Sequence, residues 1–241
     1  MGLDNKSTGI GTLNEKPLHA ALKTWCARPG DRLEFQLDGY VIDIVRDDIL
    51  IEIQTANFSG IKRKLNDLTT NHKLRLVHPI AVDLWILKLP REGDNKPTRR
   101  KSPKRGKITD LFKELVSFPE LACNPNFSLD IVLIQEEVVR LFAGKPHWRR
   151  RGWVTQERRL LKVVDHHLFS EPMDYIELIP TGLPERFTTA DLASQLAIPR
   201  RLAQQMAYCL RKMKVFEKVG TRKRSNLYII GDAFTDVQST S

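Results

Sequence analysis

The chain has 241 residues, 41% hydrophobic and 28% charged, with 39 Lys and Arg against 29 Asp and Glu for a net charge of +10. A chain of that length buries roughly 70% of its unfolded surface, and its apolar share excludes wholesale disorder. No apolar run nears the ~20 residues of a membrane span, none opens the chain, and Cys26, Cys123 and Cys209 are too scattered for a disulfide framework or a cysteine-built zinc site; a cytoplasmic protein without a membrane partner is expected.

The charge is uneven. Residues 1–90 carry a net +1, residues 91–107 a net +6, residues 108–180 a net −2 and residues 181–241 a net +5. Clustered cations point to a polyanion, most often nucleic acid.

The first helix is read over Asn14 to Trp25, with Pro17 in its first turn and Leu18, Ala21, Leu22 and Trp25 as its apolar stripe. Pro29-Gly30-Asp31 ends it. Three strands follow, Leu33 to Leu37, Tyr40 to Val45 and Ile49 to Thr55, the first two joined by the strong hairpin signal Asp38-Gly39. Phe58, Ile61, Leu65 and Leu68 mark a second helix, and strands over Lys73 to Pro79 and Leu84 to Leu89 complete an α-β-β-β-α-β-β order.

The second hairpin poses an electrostatic question. A two-residue turn at Asp47-Asp48 pairs Arg46 with Ile49 and Asp43 with Glu52, two carboxylates on one face about 4.5–5.5 Å apart. Both sit inside apolar runs, and their repulsion would be offset by a hard divalent cation such as Mg²⁺. Period-2 alternation puts Gln54 on the same face. The plain alternative is the wet side of a hairpin. His19 and Lys23, beyond Glu15 on the first helix, read as surface residues or phosphate contacts, and His72 and His78 as structural.

Asp43 on the second strand and Glu52-x-Gln54 on the third, within this element order, resemble the PD-(D/E)XK superfamily of restriction-endonuclease-like nucleases, and the stretch Asn14 to Leu89 looks like an uncharacterised bacterial branch of it. The resemblance implies an αβββαβ core with a mixed sheet and a metal-dependent nuclease, possibly serving defence or repair. Asp43, Glu52 and Glu15 would hold Mg²⁺ or Mn²⁺ at a phosphodiester, with Gln54 completing the catalytic set. Gln54 stands where the family usually carries lysine, and Lys62 or Lys64 on the next helix would then supply the cation. The alternative is an inactive nuclease fold acting as a DNA-binding regulator or adaptor.

Residues 91–107, with Arg99, Arg100, Lys101, Lys104 and Arg105, read as a basic linker, either a solvated tether or a phosphate-contacting strap. In the connecting α/β region, 108–180, a helix is expected over 108–116, a strand from Ser128 to Val139 and a helix from about Thr155 to Leu168. Glu136-Glu137 reads as surface, and Trp148 to Trp153, aromatics alternating with arginines, as a base-stacking or hinge segment.

Residues 181–241 open with Thr188-Thr189-Ala190-Asp191, a capping-box spacing. A second helix, from about Pro199 to Met213, turns Leu202, Met206, Cys209, Leu210 and Met213 inward. It turns Arg200, Arg201, Gln204, Gln205, Tyr208, Arg211 and Lys212 outward. Strands Val215 to Val219 and Asn226 to Ile230, joined through Arg222, Lys223 and Arg224, complete a pattern that resembles a winged-helix domain. The resemblance implies contact with nucleic acid, DNA above RNA, through those cations and polar groups. A homo-oligomer or a larger assembly is compatible with all of this.

Overall fold

The computed structural model describes residues 16–91, 96–144 and 152–234. The fold is α/β with one mixed sheet of seven strands and a separate two-stranded sheet near the C-terminus. Among the described residues no helix is long and apolar enough to cross a membrane.

Helix α1 (Pro17–Cys26) starts on its proline and lays Leu18 and Leu22 on the sheet. Strands β1 (Arg32–Leu37), β2 (Tyr40–Arg46) and β3 (Ile49–Ile53) run antiparallel through two tight turns, with Asp38 and Asp47 at φ 51° and 49°. A short helical turn and α2 (Lys62–Leu68) carry the chain back to β4 (Lys73–Lys88), which lies parallel to β3.

Two expected strands prove to be the single β4. Pro79 does not interrupt it because the polar groups of Val77, Pro79 and Ala81 face the β3 edge, where β3 has already ended: Val77 O takes the N–H of Gln54 at 2.9 Å and Ala81 O that of Gly106 at 2.8 Å. A missing N–H costs little where no ladder partner stands. The expected linker also differs. Thr98–Lys101 form β5, which takes the same edge of β4 further along, pairing with Trp85 to Lys88.

Strand β6 (Phe127–Phe142) continues the sheet parallel to β4, after a short helix α3 (Phe112–Leu115) and flanking helical turns. The segment expected as a helix over Thr155 to Leu168 is instead the edge strand β7 (Trp153–Phe169), antiparallel to β6. Its β-branched Val154, Thr155, Val163 and Val164 suit a pleated surface, and pairing with β6 overrides local helical preference. Gln156, Leu161 and Val164 have no partner on β6, so each is a bulge.

The C-terminal unit comprises α4 (Thr189–Gln195), α5 (Arg200–Lys212) and the hairpin β8 (Phe216–Arg222) and β9 (Ser225–Ile230). Thr188 and Asp191 form the expected reciprocal cap. Leu202, Met206, Cys209, Leu210 and Met213 are all buried. They join one hydrophobic cluster that runs unbroken to Ile42 and Leu65 in the first third of the chain. Lys212 to Glu120 at 2.7 Å, and Lys107 Nζ on the carbonyls of Leu196 and Ala197 at 3.1 and 3.3 Å, tie the unit to the helical turns that precede β6.

Candidate functional site

Two carboxylates come together where β2 and β3 part. The turn register is the expected one, Arg46 opposite Ile49, and the ladder continues to Ile44 opposite Ile51, where it stops. Ile44 packs with Leu18, Leu22 and Ile51 on the α1 side, whereas Ile42 packs with Phe58 and Leu65 on the α2 side. Alternate residues of one strand on opposite faces mean that the pleat breaks at Asp43. Asp43 and Glu52 are therefore not the directly opposed pair the turn implied.

At the break, the Asp43 carboxylate accepts the Ile53 N–H at 2.8 Å, taking the place of a ladder carbonyl. His19 Nε2 of α1 lies 3.3 Å from the same oxygen. Burial pushes the Asp43 pKa up, but the hydrogen bonds from His19 and Ile53 and the nearby positive charges outweigh it, holding the group below the usual carboxylate range. Lys23, by contrast, is drawn to Glu34 at 2.8 Å.

Glu52 turns toward α2 and is only 7% exposed. Lys64 Nζ stands 2.6 Å from its Oε1 and donates to the Val41 carbonyl at 2.6 Å. Burial dominates; Lys64 offsets part of it and Asp43 adds to it, so Glu52 is pushed up to about 7. Gln54 departs from its expected place beside an ion, because β3 has ended and its amide donates to the carbonyls of Ala56 and Asn57 at 2.5 and 3.2 Å. The cation at the carboxylates is thus Lys64, while Lys62 is exposed. Glu15 lies outside the described residues.

A carboxylate held low, Asp43, and one pushed up to about 7, Glu52, thus stand on adjacent strands, the first meeting His19 of α1 and the second Lys64 of α2. No group of three or more His, Cys, Asp or Glu that could hold a metal occurs among the described residues. Of the two histidines expected to be structural, His72 meets Asp38 at 2.9 Å, and buried His78 bonds the Gln54 carbonyl at 2.7 Å and packs edge-on to Phe58.

Three of the five cations named for the expected basic linker are paired with acids of the sheet. Arg99 pairs with Glu137 at 2.7 Å, and Lys101 and Arg105 with Asp83 at 2.8 and 3.7 Å. Arg100 and Lys104 carry no ion pair among the described residues. Glu136 and Glu137, expected on the surface, are buried instead, because Arg158 grips Glu136 through two hydrogen bonds of 2.5 and 2.7 Å while Arg99 covers Glu137. Trp148 to Arg151 lie outside the described residues; Trp153 is buried beneath Arg91 and Lys88.

The second candidate surface is an open groove of 510 Å³ between α5 and the β8–β9 hairpin. Arg200, Gln204, Tyr208 and Arg211 form one stripe of α5 along it, and Arg224 comes from the hairpin turn. Lys218 and Asn226 on the hairpin strands also line it, with Thr189, Ser225 and Tyr228; sequence reasoning missed Lys218 and Asn226, because which face of β8 and β9 meets α5 is set by the packing. Among the described residues no acidic side chain lines the groove. Arg201, Gln205 and Lys223 lie outside it, and Arg222 is drawn away to Asp191 at 2.5 Å.

A family model described as "Domain of unknown function (DUF8091)" matches residues 16–170, from α1 to the end of β7. A protein of Treponema pallidum (strain Nichols), described as an uncharacterized protein, is 31% identical over 185 residues, which span 76% of this chain and 73% of that one. No solved structure matches.

Proposed function

We propose, from the premise that the chain belongs to the DUF8091 family, that it is a metal-dependent nuclease-like protein that hydrolyses phosphodiester bonds and holds DNA in its C-terminal groove. On this reading the core from α1 to β4 is restriction-endonuclease-like and the C-terminal unit is a winged helix.

One observation carries it. Lys64 reaches Glu52 beside Asp43, filling from α2 the role that Gln54 leaves empty on β3. A divalent ion bound there would neutralise phosphoryl charge and lower the pKa of a water. Asp43 would be its ionised ligand, kept in one rotamer by His19 and the Ile53 N–H. Glu52 would give up its proton as the second ligand. The Lys64 ammonium, released from Glu52, would face the charge that develops on the phosphate. The acid-free groove on α5 suits a phosphate backbone, whose binding weakens steeply with salt.

The second reading, an inactive scaffold, rests on its own observation. Both carboxylates already have partners, His19 on Asp43 and Lys64 on Glu52, and Gln54 is committed to a turn. Incubating the protein with DNA and RNA substrates and Mg²⁺ or Mn²⁺ decides between them. Cleavage that falls at least about a hundredfold in Asp43→Ala and in Lys64→Ala, with DNA binding retained, is expected. Cleavage equal in wild type and Asp43→Ala would sink the enzyme reading. Loss of DNA binding only when Arg200, Arg211 and Arg224 are neutralised checks the groove.

A further inference from the structure

The sheet contains a notch. Strand β3 pairs with β4 only as far as Val77, and β5 begins only at Trp85. Between them the edge of β4 is met by the basic segment, which is pinned across it by the Ser102 N–H on Leu84 O at 2.7 Å and the Gly106 N–H on Ala81 O at 2.8 Å. Gly106 is pressed so close that a Cβ would stand 2.7 Å from Ala81 O, so the segment is seated on β4. The notch encloses a pocket of 260 Å³ at the C-terminal end of β3, beginning at Thr55, three positions beyond Glu52. Crevices at the carboxyl ends of parallel strands are where ligands of such sheets bind.

The floor of the pocket is apolar, made by Pro79, Ile80, Leu84 and Val138. Its acids are all engaged: Glu136 by Arg158, Asp110 by Lys113 at 2.6 Å, and Glu114 by the Phe58 N–H at 3.0 Å. Arg158 also reaches the Thr55 carbonyl at 3.4 Å and so is held at the rim. Lys104 is exposed on the seated segment and has no counter-ion among the described residues. The pocket therefore combines an apolar wall with one uncompensated cation. That pairing matches the two halves of a nucleotide, a base for the wall and a phosphate for the cation.

We propose that this pocket is a nucleotide subsite, which seats a base on the Pro79–Leu84–Val138 wall and its phosphate at Lys104, next to the bond cleaved at Asp43 and Glu52. The placement next to a cleaved bond rests on the nuclease reading; the binding of a nucleotide does not.

The probes are the 5′-monophosphates of deoxyadenosine and adenosine, titrated by calorimetry without divalent metal, the pair separating DNA from RNA preference. Wild type should bind at least one of them. Lys104→Glu, a change on an exposed side chain, should weaken binding about tenfold or more. Leu84→Trp, which fills the pocket, should abolish it. Wild type that binds neither nucleotide, or Lys104→Glu that binds as wild type does, overturns the subsite. The two readings fail separately. Nucleotide binding without any cleavage removes the nuclease and keeps the pocket, whereas cleavage whose KM is indifferent to Lys104→Glu removes the subsite and keeps the nuclease.

Discussion

A carboxyl group buried beside an ammonium, as Glu52 is beside Lys64, makes stability depend on pH in an unusual direction. Its folded pKa of about 7 lies above the ordinary 4.5, so between those values the folded chain keeps a proton that the unfolded chain has lost. Stability from this group is fully present below pH 4.5 and is lost as pH rises toward 7, on the order of 3 kcal/mol. Asp43 has the opposite sign: its pKa is held low, so its contribution is present above the usual carboxylate range and lost in acid. Glu52→Gln should therefore flatten the fall in urea midpoint between pH 4.5 and 7; a midpoint that falls as steeply in the variant would refute the assignment. Both carboxylates were visible in the sequence because each interrupts an apolar run. The break in the pleat at Asp43 was not, since it depends on Ile42 and Ile44 being claimed by helices on opposite faces.

Elements were legible where local chemistry alone decides them. Asp38-Gly39, the Thr188 cap and the five inward residues of α5 lie where their patterns put them. The misses are strands whose reason lies in a partner. β7 is a strand because β6 offers it an edge, and β5 because β3 leaves part of β4 uncovered. Lys96 to Lys107 has almost nothing apolar to bury, yet Gly106 lets it seat on β4. Gly106→Ala should thus cost about 1–3 kcal/mol through the clash with Ala81 O and Ile80. Thermal unfolding measures it; an unchanged midpoint would mean that the segment is not held as described.

On the scale of the molecule, the unbroken cluster from Ile42 to Tyr228 predicts one cooperative transition. Leu210→Ala, at a fully buried position of α5, should lower stability by about 2–5 kcal/mol and shift near-ultraviolet and far-ultraviolet transitions together. Two separated transitions would show that the C-terminal unit melts by itself. The charge pattern could not reveal this unity, since the basic stretch at residues 91–107 looked like a boundary and its residues 98–106 are in fact pinned to the sheet. The same whole-molecule view gives the bulges of β7 a meaning. An edge strand of 17 residues is a template for another chain, yet its longest run between Gln156, Leu161 and Val164 and its ends is the five residues from Asp165 to Phe169. A visiting strand would lose register every few residues, so the open flank that ends this sheet is a poor seed for fibres.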